Sequence, residues 1–329
     1  MTGKTMVLLV LVLLVAGTVV GVRALAAAEE QRTEAAFPPE GAFVEVDGVP
    51  VHYVQRGEGP DIILLHGAGG STRDFTFAFM DRLTDRYRVT VFDRPGLGYT
   101  GRIEDYGVFS RDAETPREQA RFLQDAADAL DVSQPVVLGH SFGGAVAMAW
   151  ALERPDETAG VVMVGGVSNE WEGGLGWFYN VTSHPIIGPI FNPLATAFVP
   201  DGYVAGTVAG IFRPQDAPQG YADYIGPRLS ARRETLYANG RQVHGLKPHI
   251  IEMVPGYAAL TMPIEIVHGD ADDIVPLAVH SIPLSGQAPG AVLTVLEGIG
   301  HMPQHNAAAE VEAAIDRAAE RAGLTAGLR

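Results

Sequence analysis

A serine between two glycines is the first feature of this sequence with recognisable chemistry. The segment 139–143, GHSFG, fits the pattern G-x-S-x-G; the apolar run VVL precedes it and the Ala-rich helical run GAVAMAWAL follows its serine. A tight strand-to-helix turn needs glycines beside a strained serine, exposes the hydroxyl and places the positive end of a helix dipole beneath it. The pattern predicts that Ser141 is a nucleophile.

A second glycine-rich segment, HGAGG at residues 66–70, follows the apolar run DIILL. Such a loop can present backbone N–H groups to a developing oxyanion. We predict that the two donors are the N–H groups of Ala68 and of Phe142, the residue after the nucleophile. A phosphate-binding loop is the alternative, but the segment lacks a Lys-Ser/Thr pair and the pattern G-x-G-x-x-G. His66 itself is more typical of a structural residue.

An acid and a base are available near the C-terminal end. The sequence GDADDIVP follows the apolar run IEIV and offers Asp270, Asp272 and Asp273. It lacks the downstream glycine and glutamate of an EF-hand loop, so it does not predict a calcium site. His301 lies in GIGHMP after the last predicted strand, and it follows the serine and the acid in chain order. That position predicts a general base, with His305 as a weaker rival.

Alternating strand and helix patterns surround these motifs and predict an α/β fold. The turn Asp47–Gly48 between two alternating runs predicts an opening β-hairpin. We therefore expect a mostly parallel, doubly wound sheet with an antiparallel edge. The predicted strands are 43–46, 49–54, 61–65, 87–92, 135–139, 160–164, 263–267 and 292–296, and the predicted helices are 74–83, 116–130, 142–152, 276–284 and 307–322.

Residues 168–262 interrupt this alternation and are rich in glycine, proline and aromatic residues. An excursion of this length between two core strands predicts an inserted lid subdomain, which divides the core into 42–167 and 263–323. Most of the lid aromatics would form a small core of their own. They also predict an apolar pocket, with Trp171, Trp177 and Phe178 as candidate substrate-binding residues.

The N-terminus carries an unbroken apolar run from residue 6 to residue 22. This run is long enough to cross a hydrocarbon layer of about 30 Å. We predict that residues 1–28 are a transmembrane signal anchor or, if cleaved at the small residues 24–28, a signal peptide. Lys4 favours a catalytic domain outside the cytoplasm, whereas Arg23 and Arg32 favour the reverse. Residues 29–41 are predicted to be a linker. Cleavage of the signal peptide would give a secreted or periplasmic protein.

Composition narrows the function classes. The 329 residues are 47% hydrophobic and 19% charged, which favours a large folded core over disorder. A net charge of −16 disfavours binding to nucleic acid. The absence of cysteine excludes disulfides, thiolate metal sites and a cysteine nucleophile.

From about residue 43 to residue 322 the chain resembles the α/β-hydrolase superfamily, in its serine-nucleophile, lid-containing, AB hydrolase-1-like branch. The resemblance implies a triad in the order Ser, Asp, His. Family members commonly carry G-x-x-D-x-x-x-P after the seventh strand, which implies that Asp272 is the acid. Other members take the acid from the loop after strand six, which here implies Glu170. Epoxide hydrolases and haloalkane dehalogenases resemble the chain in lid and loops but have an aspartate where Ser141 stands.

Together these features predict a serine hydrolase that cleaves a carboxylic ester with a small to medium apolar acyl group through an acyl-enzyme. No metal or organic cofactor is implied. A C–C bond hydrolase, a perhydrolase-type relative and an amidase or aminopeptidase are the alternatives within enzymes. A catalytically silent ligand-binding protein with the same fold is an alternative of another class. The sequence does not indicate an oligomeric state.

Overall fold

A central sheet of eight strands organises the computed structural model, which describes residues 3–104 and 106–324. The strand order is β1-β2-β4-β3-β5-β6-β7-β8, and β1 and β2 are antiparallel to their neighbours while the other pairs are parallel. The predicted mostly parallel sheet with an antiparallel edge is confirmed. The strands are β1 Ala42–Val46, β2 Val49–Arg56, β3 Asp61–Leu65, β4 Arg88–Phe92, β5 Val136–His140, β6 Gly160–Val164, β7 Ile264–Gly269 and β8 Ala291–Leu296.

Helices cover both faces of this sheet, as a doubly wound fold requires. Apolar residues of α3, α4 and α10 pack on one face, and those of α12 pack on the other. Thr115 caps α3, because its hydroxyl accepts a hydrogen bond from the N–H of Glu118. The core helices are α2 Arg73–Thr76, α3 Pro116–Asp128, α4 Phe142–Glu153, α10 Ser281–Gln287, α11 Pro303–Asn306 and α12 Ala308–Arg321.

Two predicted core helices differ from the structure. The continuous helix expected over 74–83 is only α2 and a 3-10 turn, Met80–Arg82. Long-range hydrogen bonds hold this segment, since the N–H of Thr72 donates to Asp93 and the Asp74 carboxylate accepts from Tyr221. The helix expected over 276–284 begins only at Ser281.

The segment 168–262, which the sequence predicts to be a lid and which we call the lid, contains several helices, and residues from them line a cavity together with Ser141. Helices α6 and α7 meet at an angle of 101°. The longest lid helix, α9, packs against α4 of the core. The lid helices are α5 Trp177–Thr182, α6 Gly188–Phe198, α7 Asp201–Ile211, α8 Tyr221–Ile225 and α9 Arg233–Met253, with 3-10 helices at Pro227–Ala231 and Val254–Ala259.

The N-terminal helix α1 runs without a break from Gly3 to Ala36. Residues 3–21 are exposed, whereas Ala26 and Thr33 are buried where the helix packs on α6. The segment 29–41, which the sequence predicts to be a linker, is therefore helical as far as residue 36. Three ion pairs fasten this part of α1 to the lid: Arg228–Glu29 at 3.2 Å, Arg233–Glu30 at 2.6 Å and Arg232–Glu34 at 2.9 Å.

Candidate active site

Ser141 occupies a strained turn between β5 and α4. Its φ of 53° and ψ of −119° lie in a region that residues with a side chain rarely adopt. The turn closes tightly, since a Cβ on Gly139 would lie 2.2 Å from the carbonyl oxygen of Gly143. A Cβ on Gly143 would lie 2.3 Å from the carbonyl oxygen of Leu65, at the end of the neighbouring strand β3. The two glycines of the motif are thus required by close backbone contacts.

His301 and Asp272 form a buried pair after strands β8 and β7. The Nδ1–H of His301 donates to Oδ2 of Asp272 at 2.7 Å. The other carboxylate oxygen accepts from the N–H groups of Ile274 and Val275, each at 2.9 Å. Burial alone would raise the pKa of Asp272, but hydrogen bonds from His268 and His301 outweigh it and hold this pKa well below its usual range. The carboxylate is therefore ionised and fixes the orientation of the imidazole.

The other acids considered from the sequence lie apart from His301. Asp270, Asp273 and Glu170 are exposed. Asp270 accepts a hydrogen bond from the N–H of Gly298 at 2.6 Å, so it supports the loop that carries the histidine. The geometry therefore singles out Asp272 as the partner of His301.

Ser141, His301 and Ala68 line one cavity of about 330 Å³. All three follow strands of the parallel part of the sheet, at the carboxyl edge where ligands bind in open α/β folds. Neither the N–H of Ala68 nor that of Phe142 donates a hydrogen bond within residues 3–104 and 106–324. Phe142 is the first residue of α4, whose opening N–H groups have no partner inside the helix. Both groups are thus available to a ligand oxygen.

Arg94 is a functional candidate that the sequence reasoning missed. Its buried guanidinium donates to the carbonyl oxygens of His66 and Gly67, both at 2.9 Å, and lies 4.4 Å from the centroid of the Phe142 ring. Because a peptide bond is planar and trans, holding the Gly67 carbonyl directs the N–H of Ala68 to the opposite side. Arg94 thereby fixes the loop that carries one candidate oxyanion donor. In the sequence, the only feature that could have indicated this role is the position of Arg94 directly after a predicted buried strand.

His66 has a structural position beneath the same loop. Its Nδ1–H donates to the Gly67 carbonyl at 2.9 Å, and its Nε2 accepts from the N–H of Arg94 at 3.0 Å. Burial and the neighbouring Arg94 charge lower the pKa of His66 to about 4, so the ring is neutral at pH 7.

His305, the rival base, belongs to a different cluster. Its Nε2 lies 2.8 Å from Oδ1 of Asp74, and the Tyr221 hydroxyl donates to the same oxygen at 2.7 Å. Burial opposes ionisation of Asp74, but the bond from His305 outweighs it and keeps the pKa of Asp74 well below its usual range. The His305 ring is enclosed by the rings of Phe77, Phe212 and Tyr221 at 4.8 to 6.1 Å.

His140 stands between the two Asp–His pairs. Its Nε2–H donates to the carbonyl oxygen of His301 at 2.9 Å, and its ring centroid lies 4.9 Å from that of His301. Its Nδ1 is buried, has no hydrogen-bond partner in the part of the chain that the structure describes, and lies 4.0 Å from Oδ2 of Asp74. Burial, and then the nearby His301, lower the pKa of His140 to about 4.

The lid supplies an apolar wall to the cavity. Of the three candidate substrate-binding aromatics, only Phe178 lines it. Trp171 packs against the core under Lys247, whose Nζ lies 5.2 Å from the ring centroid, and Trp177 is exposed on the outside of the lid. No group of three His, Asp or Glu side chains in the described residues is arranged to hold a metal ion. The other apolar lid residues of the wall include Ala195, Val199, Val204, Val208, Ile211, Ile225 and Leu236.

Comparison with known proteins agrees with this architecture. Residues 62–314 match the alpha/beta hydrolase family. Haloalkane dehalogenase 2 of Mycobacterium tuberculosis is 28% identical over 291 residues, which cover 85% of this chain and 94% of that protein. An esterase from Exiguobacterium antarcticum superimposes with a TM-score of 0.67 at 17% identity, covering 85% of this chain and 99% of that one. A bacterial membrane phospholipase A superimposes with a TM-score of 0.62 at 18% identity, covering 96% and 99%. The chain belongs to the alpha/beta hydrolase family.

Proposed function

We propose that this protein is a serine hydrolase of carboxylic esters. One observation carries the proposal: the ionised Asp272 orients His301 at the wall of the cavity in which Ser141 lies on a strained turn. An imidazole held in this way is suited to accept the serine proton as a general base. The proposal does not extend to dehalogenase chemistry. The resemblance implies that dehalogenases use an aspartate at the position where this chain has Ser141.

In the proposed reaction, His301 removes the proton of Ser141 as Oγ attacks the ester carbonyl. The N–H groups of Ala68 and Phe142 stabilise the oxyanion of the tetrahedral intermediate. His301 then protonates the leaving alcohol, and an acyl group remains on Ser141. Water hydrolyses this acyl-enzyme with His301 again as base, which releases a carboxylic acid and restores the serine.

The proposed substrate has an apolar acyl group, because aliphatic and aromatic residues, most of them from the lid, form most of the cavity wall. An aminopeptidase would need carboxylates to hold a substrate amine. Asp74 is the only lid-facing carboxylate among the described residues of the wall, and Tyr221 and His305 already bond to it. This arrangement supports the ester over the amine-bearing substrate.

We also propose that α1 is an uncleaved anchor with the catalytic domain outside the cytoplasm. Its exposed residues 3–21 form a rod of about 28 Å, close to the roughly 30 Å of a hydrocarbon layer. Ala26, inside the candidate cleavage region, is fully buried. The match to the membrane phospholipase A covers 96% of this chain, which is more than the residues after Ala36 can supply. Lys4 supports this orientation, whereas Arg23 and Arg32 count against it.

The test is hydrolysis of p-nitrophenyl esters, from acetate to decanoate, by the full chain in detergent micelles and by its Ser141→Ala variant. We expect turnover that the variant loses, with a maximum at a short or medium acyl chain. Turnover that survives the substitution, or a folded wild-type protein inactive on every ester, would contradict the proposal. In the second case the C–C and amide substrates would be tried next.

A further inference from the structure

The outer face of the lid elbow formed by α6 and α7 is unusually apolar for a surface. Residues 186–211 include one charged side chain, Asp201, and Arg228 pairs with it at 2.6 Å. Ile190, Leu194 and Phe198 follow one another at intervals of four, so they lie on the same side of α6. Ile186, Ile190 and Phe198 are 68%, 64% and 57% exposed. A continuous apolar stripe of this kind marks a contact surface.

Aromatic residues flank the stripe. Trp177 on α5 is 62% exposed, and Tyr203 at the start of α7 is exposed as well. Tryptophan and tyrosine concentrate where a membrane meets water, because their rings are apolar and one end is polar. This combination favours a lipid surface.

The stripe is also continuous with the membrane helix. Helix α1 packs directly on α6, and the exposed rod of residues 3–21 projects from that contact. Taken together, α6 and α7 are apolar enough to cross a bilayer, but their bend of 101° prevents a straight span. A bent apolar pair beside a spanning helix has the shape of a wedge that enters one leaflet.

The inner side of this elbow forms part of the active-site cavity. Ala195 and Val199 of α6 and Val204 of α7 line the cavity that contains Ser141. Only the thickness of one helix, about 10 Å, separates the cavity from the outer stripe. An ester dissolved in the leaflet would therefore have a short path to the serine.

We propose that the α6–α7 elbow inserts into the leaflet from which α1 emerges, and that the cavity takes lipid esters from the bilayer. The substrate class is an acyl ester whose acyl chain resides in the membrane. The evidence for insertion is the exposed apolar surface and does not depend on catalysis. The substrate class rests on the proposed esterase function. A lipid leaflet is preferred to a second copy of the chain because α1 places this face next to the bilayer.

Insertion can be measured directly, since the chain has no cysteine to remove. An Ile190→Cys variant of the full chain is labelled with an environment-sensitive fluorophore and reconstituted in phosphatidylcholine vesicles. We expect brominated acyl chains to quench its emission at least two-fold and aqueous iodide to have little effect. The matched control is Ile282→Cys on α10, also an isoleucine and 51% exposed, which iodide and not the brominated lipid should quench.

Two outcomes of this experiment would overturn the insertion. Quenching of the residue 190 label by iodide, as at residue 282, would place the stripe in water. Protection from both quenchers would show that a second copy of the chain covers it.

The substrate class is tested with the double variant Ile186→Glu/Ile190→Glu and the control Ile282→Glu/Val295→Glu. In detergent, both should hydrolyse p-nitrophenyl butyrate within two-fold of the wild-type rate. On a fluorogenic diacyl lipid ester in vesicles, the lid variant should lose about ten-fold in activity and the control should not.

Equal vesicle activity in all three proteins would overturn the bilayer route while the esterase function stands. Inactivity of the wild type on both esters would overturn the substrate class, whereas the quenching result would still decide the insertion.

Discussion

Two of the Asp–His pairs among the described residues, His301–Asp272 and His305–Asp74, differ in what surrounds the imidazole. In the first pair, His301 is 2.7 Å from Asp272 and its ring lies at the wall of the cavity beside Ser141. In the second pair, His305 is 2.8 Å from Asp74, but aromatic rings enclose it. The two distances are nearly alike, and the pKa of each aspartate lies well below its usual range.

The comparison teaches that an Asp–His hydrogen bond does not by itself identify a base. What distinguishes His301 is that it lines the cavity that also contains Ser141, the proposed nucleophile. The second pair instead connects the lid to the core, because Tyr221 of α8 donates to the carboxylate of Asp74 in α2. We therefore assign the first pair to chemistry and the second to the position of the lid.

The largest difference in kcat is expected between the alanine variants of the two histidines. His301→Ala should lower kcat by about 10⁴-fold or more, because it removes the proposed general base. His305→Ala should change kcat by less than about ten-fold while lowering the melting temperature, since it leaves Asp74 short of a buried partner. Steady-state kinetics and thermal unfolding of both variants check this, and similar kcat losses would break the distinction.

The two aspartates should separate in the same way. Asp272→Asn should cost about 10⁴-fold in kcat, because the amide no longer holds the required tautomer of His301. Asp74→Asn should retain most of the activity and lose about 1–3 kcal/mol of unfolding free energy, since it replaces a buried, hydrogen-bonded carboxylate. Denaturant titration beside ester hydrolysis separates the two outcomes. A loss of kcat in Asp74→Asn as large as in Asp272→Asn would assign the chemistry to the second pair.

A smaller loss is expected from Arg94, which holds the loop that carries Ala68, a proposed oxyanion donor. Arg94→Met should lower kcat by about 10²–10³-fold with a minor change in KM, the size expected when one oxyanion donor is misplaced. Arg241→Met is the matched control, because Arg241 is also buried and bonds to the carbonyl of Val108, away from the cavity. Equal losses in the two variants would indicate general destabilisation.

The smallest effect concerns His140, which lies between the pairs. Its pKa is about 4 in the folded protein and about 6.5 in the unfolded chain, so the unfolded chain binds an extra proton between these values. Unfolding free energy should therefore fall as pH decreases from 6.5 to 4. His140→Gln, which keeps a donor for the His301 carbonyl, should reduce this slope by up to about 1.4 kcal/mol per pH unit. An unchanged slope in denaturant titrations would contradict the assignment.

Local patterns predict the core well. Strands β3 and β6 have the bounds expected from their apolar runs, and Thr115 caps α3 as its position indicates. The central parallel strands β3, β5, β6 and β7 are buried on both faces, so they are mostly apolar and glycine and polar residues mark their ends. The residues that follow these strands meet at one edge, which is why Ser141, Asp272 and His301 could be grouped from the sequence.

The lid and its contacts could not be predicted in the same way. Its helices are short and interrupted by glycine and proline, so helical periodicity is weak, and which aromatics face the cavity depends on how these helices fold back. The roles of Arg94 and Asp74 depend on partners 27 to 231 residues away in the chain. Long-range hydrogen bonds of this kind leave no local periodicity.

The most direct measurement is covalent labelling of the full chain in detergent with a fluorophosphonate, followed by mass analysis of its peptides. We predict one adduct on Ser141, formed far more slowly in His301→Ala and at nearly the wild-type rate in His305→Ala. A folded protein that takes up no label, or that depends on His305 as much as on His301, would contradict the assignment of Ser141, His301 and Asp272 to the chemistry.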